Sequence, residues 1–406
     1  MSTNGSAGAR NIGVVTTSRA DYGIYLPLLS LIQEDPHLNL HLLVSGMHLL
    51  PEFGMTVNNI ESDGFEISDR VEISLPSDSP GGVAAAMGNT LLGFAESFAR
   101  FAPDILLVLG DRYEMHSAVA AALPFNIPVA HIHGGESSEG AIDESIRNSI
   151  TKMSHLHFVS TDVYGQRVIQ MGEEPWRVLV SGAPSLDNMT TMTFLSKVEL
   201  EKTFGLDLSK PTLMVTYHPV TLEYEETGNQ VRELLAALDQ ADFNIVVTYP
   251  NADTHGGVII DLINEFAGRQ EKARVVDNLG TQAYFSLMKH AAAMVGNSSS
   301  GIIEAASFKL PVVNIGNRQL GRIRSGNVID VDCEQAAIID GIDEATSKRF
   351  RQGLDDLSNR YGDGGSSERI VAKLKAVPLG PKLLMKRFHT VANQKEPITV
   401  GGPNGN

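Results

Sequence analysis

The feature that most constrains the fold is a regular alternation of short apolar runs with longer amphipathic stretches, which begins at Asn11. In the first half the apolar runs are IGVVTTS, LNLHLLVSG, DILLVLGD and PVAHIHGG, and helix-like stretches such as LPLLSLIQ and EMHSAVAAALPF lie between them. Continuous aliphatic strands that alternate with helices are typical of parallel sheets, because such strands are buried on both faces. The pattern predicts a doubly wound α/β domain.

The alternation restarts after Leu186, where TLMVTYHP, FNIVVTYPN, ARVVDNL, AAMVGNSSS and PVVNIG are the predicted strands. A chain of 406 residues also exceeds what one hydrophobic core usually serves. We therefore predict an α/β protein of two Rossmann-like domains with a cleft between them, over 11–186 and 187–370, followed by a C-terminal segment over 371–392. Segments 1–10 and 393–406 are rich in small and polar residues and are predicted to be disordered.

The composition weighs against several classes of partner. A hydrophobic fraction of 42% and a charged fraction of 20% suit a soluble globular protein. The net charge of -16 disfavours a nucleic acid or an anionic membrane, although a local cluster of arginines can still bind a small phosphate ligand. Cys333 is the single cysteine, and the sequence has neither an apolar leader nor a run of about 18 apolar residues. We expect a cytoplasmic protein that does not span a membrane.

Two facing α/β domains place the carboxyl ends of their strands at one cleft, so the loops after the strands are the candidate site. Arg19 follows the first strand in the motif SRADYG, where its guanidinium and the free N–H groups of a helix start could bind one anion. The alternative is that Ser18 or Asp21 caps the helix and Arg19 is solvated. No GxGxxG motif is present, which argues against a dinucleotide, and we predict no cofactor.

The motif GDRYE directly follows the apolar run ILLVL. Asp111 is a candidate catalytic acid or base, and Arg112 is a candidate ion-pair partner and substrate ligand. The alternative is that Asp111 caps the next helix and Glu114 completes a capping box.

The motif HIHGGE contains Glu136 after two glycines, which let the backbone pass close to a ligand. This carboxylate is a candidate for catalysis. His131 and His133 alternate onto one face of the strand and could form a metal pair, but no third ligand stands at a convincing spacing, so we predict no metal. The further candidates in this region are His133, Asp143, Glu144 and Arg147.

In the second half, the segment GNSSSG lies between a strand and the helix-like IIEAASF, and offers hydroxyls and helix N-terminal amides to a diphosphate. Glu304 lies one turn into that helix, where it could hold ribose hydroxyls. The alternative is that its carboxylate only interacts favourably with the helix dipole. His218 at a strand end could donate to a phosphate or to a backbone carbonyl. The candidate ligands here are His218, Asn251, Ser298, Ser299, Ser300, Gly301, Glu304, Arg318 and Arg322.

Taken together, these motifs resemble those of one family, the hydrolysing UDP-N-acetylglucosamine 2-epimerases of bacterial sialic-acid-type pathways, and the epimerase half of the bifunctional animal enzyme. The matching pieces occur in the family's order over residues 11 to 375. They are SRADYG, GDRYE, HIHGGE, IDESIRNSITKMSHLHF, YHPVT, GNSSSGIIE, VVNIGNRQLGR and YGDG.

The resemblance implies a fold of the glycosyltransferase B type, with residues 371–392 returning to the N-terminal domain. It implies that the first domain holds the sugar and the second holds UDP. The residues around UDP would be Arg19, His218, Ser298, Ser299, Ser300, Gly301, Glu304, Arg318 and Arg322, and those facing the sugar Asp111, Glu136 and Asp143. Non-hydrolysing relatives carry a glutamate at the position of His133, so the carboxylate that takes the C-2 proton stays open.

The reaction implied by the resemblance converts UDP-N-acetylglucosamine and water to UDP and N-acetylmannosamine through a 2-acetamidoglucal, in a homodimer or homotetramer. One alternative is the same reaction on UDP-2,4-diacetamido-2,4,6-trideoxyglucose, in a legionaminic-acid-type pathway. A glycosyltransferase would use the same nucleotide loop, and a nucleotide-sugar sensor would bind without chemistry. Several ionisable groups facing the sugar favour the epimerase over both.

Overall fold

The structure, a computed structural model, describes residues 8–51, 54–73, 79–138, 142–249, 256–277 and 279–391. Within these residues the chain forms two parallel sheets, one of seven strands and one of six, each flanked by helices. This arrangement confirms the predicted fold class, two Rossmann-like domains of the glycosyltransferase B type.

The seven-stranded sheet belongs to the N-terminal half and has the strand order β3-β2-β1-β4-β5-β6-β7. Its strands are β1 (Arg10–Thr16), β2 (Leu38–Ser45), β3 (Ile67–Val71), β4 (Ile105–Leu109), β5 (Val129–Ile132), β6 (Leu156–Val159) and β7 (Val178–Val180). Its helices are α1 (Arg19–Glu34), α2 (Val57–Ser62), α3 (Pro80–Arg100), α4 (Tyr113–Ala122), α5 (Ile142–Met153) and α6 (Asp162–Gln170).

The six-stranded sheet has the order β10-β9-β8-β11-β12-β13. Its strands are β8 (Thr212–Thr216), β9 (Asn244–Thr248), β10 (Ala273–Val276), β11 (Ala293–Gly296), β12 (Val312–Ile315) and β13 (Val328–Val331). The remaining helices are α7 (Asn188–Thr191), α8 (Lys197–Phe204), α9 (Thr227–Gln240), α10 (Gly256–Arg269), α11 (Gly280–His290), α12 (Ser299–Ile303), α13 (Gln335–Thr346), α14 (Lys348–Gln352), α15 (Ser366–Ala376) and α16 (Pro381–Leu384). Among the helices so described, none is long and apolar enough to cross a membrane.

The strand order reverses direction once in each sheet, between β1 and β4 in the first and between β8 and β11 in the second. The central strands β4 and β8 are buried along their whole length because both of their faces carry helices. At such a reversal the loops after neighbouring strands diverge and leave a crevice at the carboxyl ends. The loops after these four strands carry Arg19, Asp111, His218 and Ser298, so both crevices are lined by predicted site residues.

A small apolar cluster joins the two domains. It contains Tyr164 of α6, Ile302 of α12 and Tyr361, together with Leu186 from the connecting segment. The two tyrosine hydroxyls lie 3.0 Å apart. The domains therefore meet through a packed contact beside the cleft.

The C-terminal segment lies on the N-terminal domain. Helix α15 packs against α1, and Leu374 and Leu383 belong to the N-terminal core. Arg10 donates hydrogen bonds to the carbonyls of Leu374 (2.6 Å) and Val377 (2.7 Å). Arg10 is also the first residue of β1, so the predicted disorder of 1–10 is wrong at this residue, because these contacts extend the strand. The residues before 8 and after 391 lie outside the described ranges.

Candidate active site

The centre of the site is a buried carboxylate in the loop after β5. Glu136 is 3% exposed, and its Oε1 lies 2.6 Å from His133 Nδ1 and accepts a hydrogen bond from Ser160 Oγ at 2.7 Å. Its Oε2 lies 3.9 Å from Nη1 of Arg322, a residue of the other domain. Burial alone would raise the pKa of Glu136, but His133, Arg322 and Ser160 outweigh it and lower the pKa to about 2.

The glycine before Glu136 allows the loop to pack closely against helix α6. Gly135 has a φ of 77°, and a Cβ at this position would lie 2.5 Å from the carbonyl oxygen of Tyr164 in α6. That the two glycines bring the backbone close to a ligand stays a prediction, and helix α6 gives Gly135 a packing reason as well. The loop can approach the helix only without a side chain here.

Arg147 is a buried residue that contacts several of the predicted site residues. Its side chain is 2% exposed, and its guanidinium donates to Glu136 O (3.1 Å), Ser138 Oγ (2.8 Å) and Glu144 Oε2 (3.3 Å). It also forms an ion pair with Asp111 at the end of β4. Because these donors are directed at groups of the protein, Arg147 holds the carboxylates in place. That it also binds substrate stays a prediction.

Asp111 does not cap helix α4. The residue at the N-cap is Arg112, without a side-chain capping hydrogen bond. Glu114 is fully buried and accepts two hydrogen bonds from Arg112, at 3.0 and 3.2 Å. The capping alternative for Asp111 and Glu114 is therefore wrong, since the Glu114 carboxylate is engaged by the Arg112 guanidinium.

The loop after β1 is organised by Asp21, a residue whose role the sequence did not reveal. Its buried carboxylate accepts hydrogen bonds from the hydroxyls of Thr17 (2.8 Å) and Ser18 (2.9 Å). Ser18 is the N-cap of α1, as one alternative proposed, and Arg19 is exposed at the first position of the helix. The fixed loop leaves the Arg19 side chain directed to solvent.

In the second domain, Asn297 ties two predicted segments together. Its side chain accepts from His218 N (2.7 Å) and donates to His218 O (2.9 Å). Ser298 is the N-cap of α12. A Cβ on Gly301 would lie 2.8 Å from Val312, so this glycine permits α12 to pack on β12. The segment GNSSSG (296–301), called the serine motif below, is thus held directly beside the end of β8.

The loop after β12 carries three arginines, of which Arg318 and Arg322 face different ways. Arg318 Nη1 and Gln319 Nε2 donate to the Asn297 carbonyl, at 3.1 and 2.8 Å. Burial and the Arg318 charge lower the pKa of the neighbouring His218, which is neutral at pH 7. Arg322 instead crosses to the N-terminal domain, where its Nε donates to Ser137 O at 3.4 Å.

Glu304 is a buried carboxylate at the end of α12. Ser185 Oγ donates to its Oε1 at 2.5 Å, while Oε2 has no hydrogen-bond partner in the described part of the chain. Burial raises the pKa of Glu304 to about 7, although Ser185, Ser300, His133 and Arg322 lower it. One oxygen is thus available to a ligand hydroxyl.

The two histidines of the motif HIHGGE have different partners. His131 is fully buried and its Nε2 lies 2.7 Å from the Gly110 carbonyl, and burial lowers its pKa to about 3, so it donates as a neutral ring. His133 instead contacts Glu136. Within the described ranges no cluster of three or more His, Cys, Asp or Glu residues could hold a metal.

Asp143 lies half-buried in the first turn of α5, and Asn251 lies outside the described residues. The site as a whole places Glu136, with His133, next to Arg322 of the second domain, and Asp111 on the neighbouring loop. Such a pairing suits proton transfer beside a departing anion.

Comparison with known proteins identifies the relatives of the chain. The family model described as UDP-N-acetylglucosamine 2-epimerase matches residues 30–375. The UDP-N,N'-diacetylbacillosamine 2-epimerase (hydrolyzing) of Legionella pneumophila is 40% identical over 93% of this chain and 98% of its own. The polysialic acid biosynthesis protein P7 of Escherichia coli is 38% identical over 87% of this chain and 90% of its own.

The fold has a close structural counterpart. The crystal structure of UDP-GlcNAc 2-epimerase from Neisseria meningitidis bound to UDP-GlcNAc superposes with a TM-score of 0.79, covering 90% of this chain and 99% of that chain, at 18% identity. The shared architecture is the two-domain arrangement described above.

Proposed function

This chain belongs to the UDP-N-acetylglucosamine 2-epimerase family, and we propose that it is a hydrolysing member that converts UDP-N-acetylglucosamine and water to UDP and N-acetylmannosamine. The observation that carries the proposal is the meeting of Glu136 and Arg322 across the cleft at 3.9 Å. In this proposal Glu136 transfers the proton, and Arg322 is the cation beside it, from the loop whose Gln319 donates to Asn297.

The proposed reaction is an elimination followed by hydration. A carboxylate removes the C-2 proton while the bond between C-1 and the UDP oxygen breaks, which leaves 2-acetamidoglucal and UDP. Water then adds its oxygen to C-1, and a proton returns to the opposite face of C-2. The products are UDP and free N-acetylmannosamine, and the reaction consumes one water.

The geometry supports two groups for the proton transfers. Glu136 directs Oε2 toward the domain interface and keeps Oε1 bonded to His133 and Ser160. Asp111 lies on the neighbouring loop, held by Arg147. Proton removal and return from opposite faces of the ring require two such groups, each positioned by its partner. We assign Glu136 with His133 to one face and Asp111 to the other.

Departure of UDP requires stabilisation of the developing diphosphate charge. We assign this role to Arg19, Arg318 and Arg322, with the hydroxyls and amides of the serine motif at the start of α12. Preorganised donors of this kind stabilise a developing anion without reorganising during the reaction. Glu304, with its unshared Oε2, would accept a ribose hydroxyl.

A second candidate substrate is UDP-N,N'-diacetylbacillosamine, a 2,4-diacetamido-2,4,6-trideoxyglucose nucleotide. The observation that favours it is the 40% identity to the Legionella pneumophila enzyme that bears this name. The 38% identity to a polysialic acid biosynthesis protein favours the sialic-acid-type route of the main proposal. In either case we propose a homodimer or homotetramer as the working assembly.

The test is incubation of the protein with each sugar nucleotide in deuterated water and, separately, in ¹⁸O water. We expect UDP without ¹⁸O, and free sugar that carries deuterium at C-2 and ¹⁸O at C-1. Higher kcat/KM on one nucleotide identifies the substrate. A product that remains attached to UDP, or ¹⁸O in the released UDP, would contradict the proposal.

A further inference from the structure

The contact between Arg322 and Glu136 joins the nucleotide-side domain to the sugar-side carboxylate. We propose that Arg322 is a positioning residue that pairs with Glu136 in the unliganded protein and turns to the diphosphate when UDP binds, so that nucleotide binding releases Glu136 for proton transfer. This inference rests on the proposed function and adds an order of events to it.

The Arg322 side chain is held loosely for a group that is 13% exposed. Its Nε hydrogen bond to Ser137 O is long, at 3.4 Å, and its Nη1 lies 3.9 Å from Glu136 Oε2. In the described part of the chain Nη1 has no hydrogen-bond partner. A buried guanidinium donor that lacks a hydrogen bond gains by turning to an acceptor such as a phosphate oxygen.

The backbone beside Arg322 is fixed, in contrast to its side chain. The Ile323 N–H donates to Tyr164 Oη and the Ile323 carbonyl accepts from Tyr361 Oη, both at 3.0 Å. Earlier in the same loop, Gln319 donates to the carbonyl of Asn297 next to the serine motif. The guanidinium can therefore change partner by side-chain rotation alone, while the loop stays on its anchors.

The charge of Arg322 also acts on carboxylates of both domains. Its charge lowers the pKa of Glu136 and of Glu304, so it is close enough to act on each. The other titratable groups that act on Glu136 or respond to its charge are His131, His133, Tyr164 and Tyr361. Arg322 is the member of this set that comes from the loop beside the serine motif, so a ligand at that motif would move it first.

This change of partner predicts that Glu136 and the diphosphate compete for the Arg322 guanidinium. Glu136→Gln keeps the size of the side chain and removes its charge, so Arg322 becomes fully available and UDP should bind about 3- to 10-fold more tightly. Arg322→Ala should weaken UDP binding by about 10-fold or more, because a charge-assisted contact is lost. In the double variant the gain from Glu136→Gln should disappear.

The experiment is calorimetric titration of the full chain and its three variants with UDP and with UMP, which lacks the β-phosphate. The gain from Glu136→Gln should be smaller with UMP than with UDP. Arg269→Ala is the control, since Arg269 is an exposed arginine of the same domain that pairs with Glu265 on α10, at 3.6 Å. It should change neither the affinity for UDP nor the effect of Glu136→Gln.

The outcomes separate the inference from the proposed function. The inference is overturned if Glu136→Gln leaves the UDP affinity unchanged. It is also overturned if the gain in affinity persists in the Arg322→Ala background, since the gain would then come from loss of direct repulsion between Glu136 and the diphosphate. Failure of the unaltered protein to bind UDP would contradict the proposed function instead. Thermal melts show whether each variant folds. Should Glu136→Gln not fold, Arg322→Gln alone must still lower the ratio of UDP to UMP affinity by about fivefold.

Discussion

Ser185, in the segment that connects the domains, donates a 2.5 Å hydrogen bond to the buried carboxylate of Glu304. The bond satisfies one oxygen of a side chain that is 6% exposed, while Oε2 has no partner in the described residues. Burial raises the pKa of Glu304 to about 7. Ionisation of this group at neutral pH is therefore unfavourable until a ligand or cation compensates it.

The first prediction concerns the dependence of stability on pH. Because the folded-state pKa of Glu304 is raised, the folded protein binds more protons than the unfolded chain between about pH 4.5 and 7. The contribution of Glu304 to stability therefore falls as the pH rises through this window. Glu304→Gln removes this contribution. The variant should gain roughly 2–3 kcal/mol relative to the unaltered protein between pH 5 and pH 8.

Urea unfolding of both proteins at pH 5, 6, 7 and 8 measures this difference. The contribution of the buried histidines to the pH dependence cancels in the comparison, because both proteins contain them. Glu265→Gln is the control, since this residue is largely exposed on α10 and should show no pH-dependent difference. A constant difference between the unaltered protein and Glu304→Gln across the series would refute the prediction.

The second prediction tests catalysis against structure. Glu136→Gln and Asp111→Asn preserve side-chain size but remove the group that exchanges a proton, so each should lower kcat by about 10²–10⁴-fold. Ser138→Ala, which removes only one partner of Arg147, should lower kcat far less. Steady-state kinetics and melts on the same preparations distinguish the cases, and full turnover in both carboxylate variants would show that these groups only support the fold.

The strands that the sequence predicted are those with continuous apolar runs, such as β4 and β8, which are buried on both faces. The strands β3 and β13 lie at sheet edges, and their sequences ISDRV and VIDV interrupt the apolar run with charged residues. Strand β6, with the sequence LHFV, contains the fully buried His157, which the pattern treats as polar. Edge exposure and buried polar pairs therefore remove the signal on which the prediction depends.

The candidate site was predictable to the extent that it lies in loops after strands. The partners of Glu136, Glu304 and the His218 backbone were not predictable. Ser160, Ser185 and Asn297 are distant in sequence from the residues they bind. Their only local sign is a small polar residue at a strand or helix end, which occurs throughout the chain. The partners of Arg147 were not predictable either, since its guanidinium reaches Asp111 and Ser138 on two other loops.

The third prediction concerns the proposed phosphate ligands. Arg19→Ala and Ser299→Ala should each weaken UDP binding by about 5- to 100-fold, the effect of losing a charge-assisted or ligand hydrogen bond. Their effect on stability should be small, because Arg19 is exposed and Ser298, rather than Ser299, caps α12. Titration with UDP checks this, with Arg269→Ala as an exposed arginine control on α10. Unchanged affinity in both variants would remove them from the nucleotide site.

The fourth prediction concerns the attachment of the C-terminal segment to the N-terminal domain. Arg177 is 1% exposed, and its guanidinium donates to the carbonyls of Leu383 (2.8 Å), Lys382 (3.2 Å) and Met385 (3.1 Å) while its Nε pairs with Glu174 at 2.9 Å. Arg177→Met leaves these carbonyls without their donor and the carboxylate without its partner. The free energy of unfolding should fall by about 3–5 kcal/mol.

Arg177→Lys should recover only part of this loss, because a single ammonium group cannot reproduce the planar set of donors of a guanidinium. Lys373→Met is the matched control, since both Arg177 and Lys373 lie over the Trp176 ring, at 4.3 and 6.0 Å from its centroid, but Lys373 is only half-buried. Urea unfolding and hydrogen exchange of α16 (Pro381–Leu384) measure the effect, and exchange there should accelerate in Arg177→Met alone. If Arg177→Met and Lys373→Met lose the same small amount of stability, the segment is held by the apolar contacts of Leu374 and Leu383 instead.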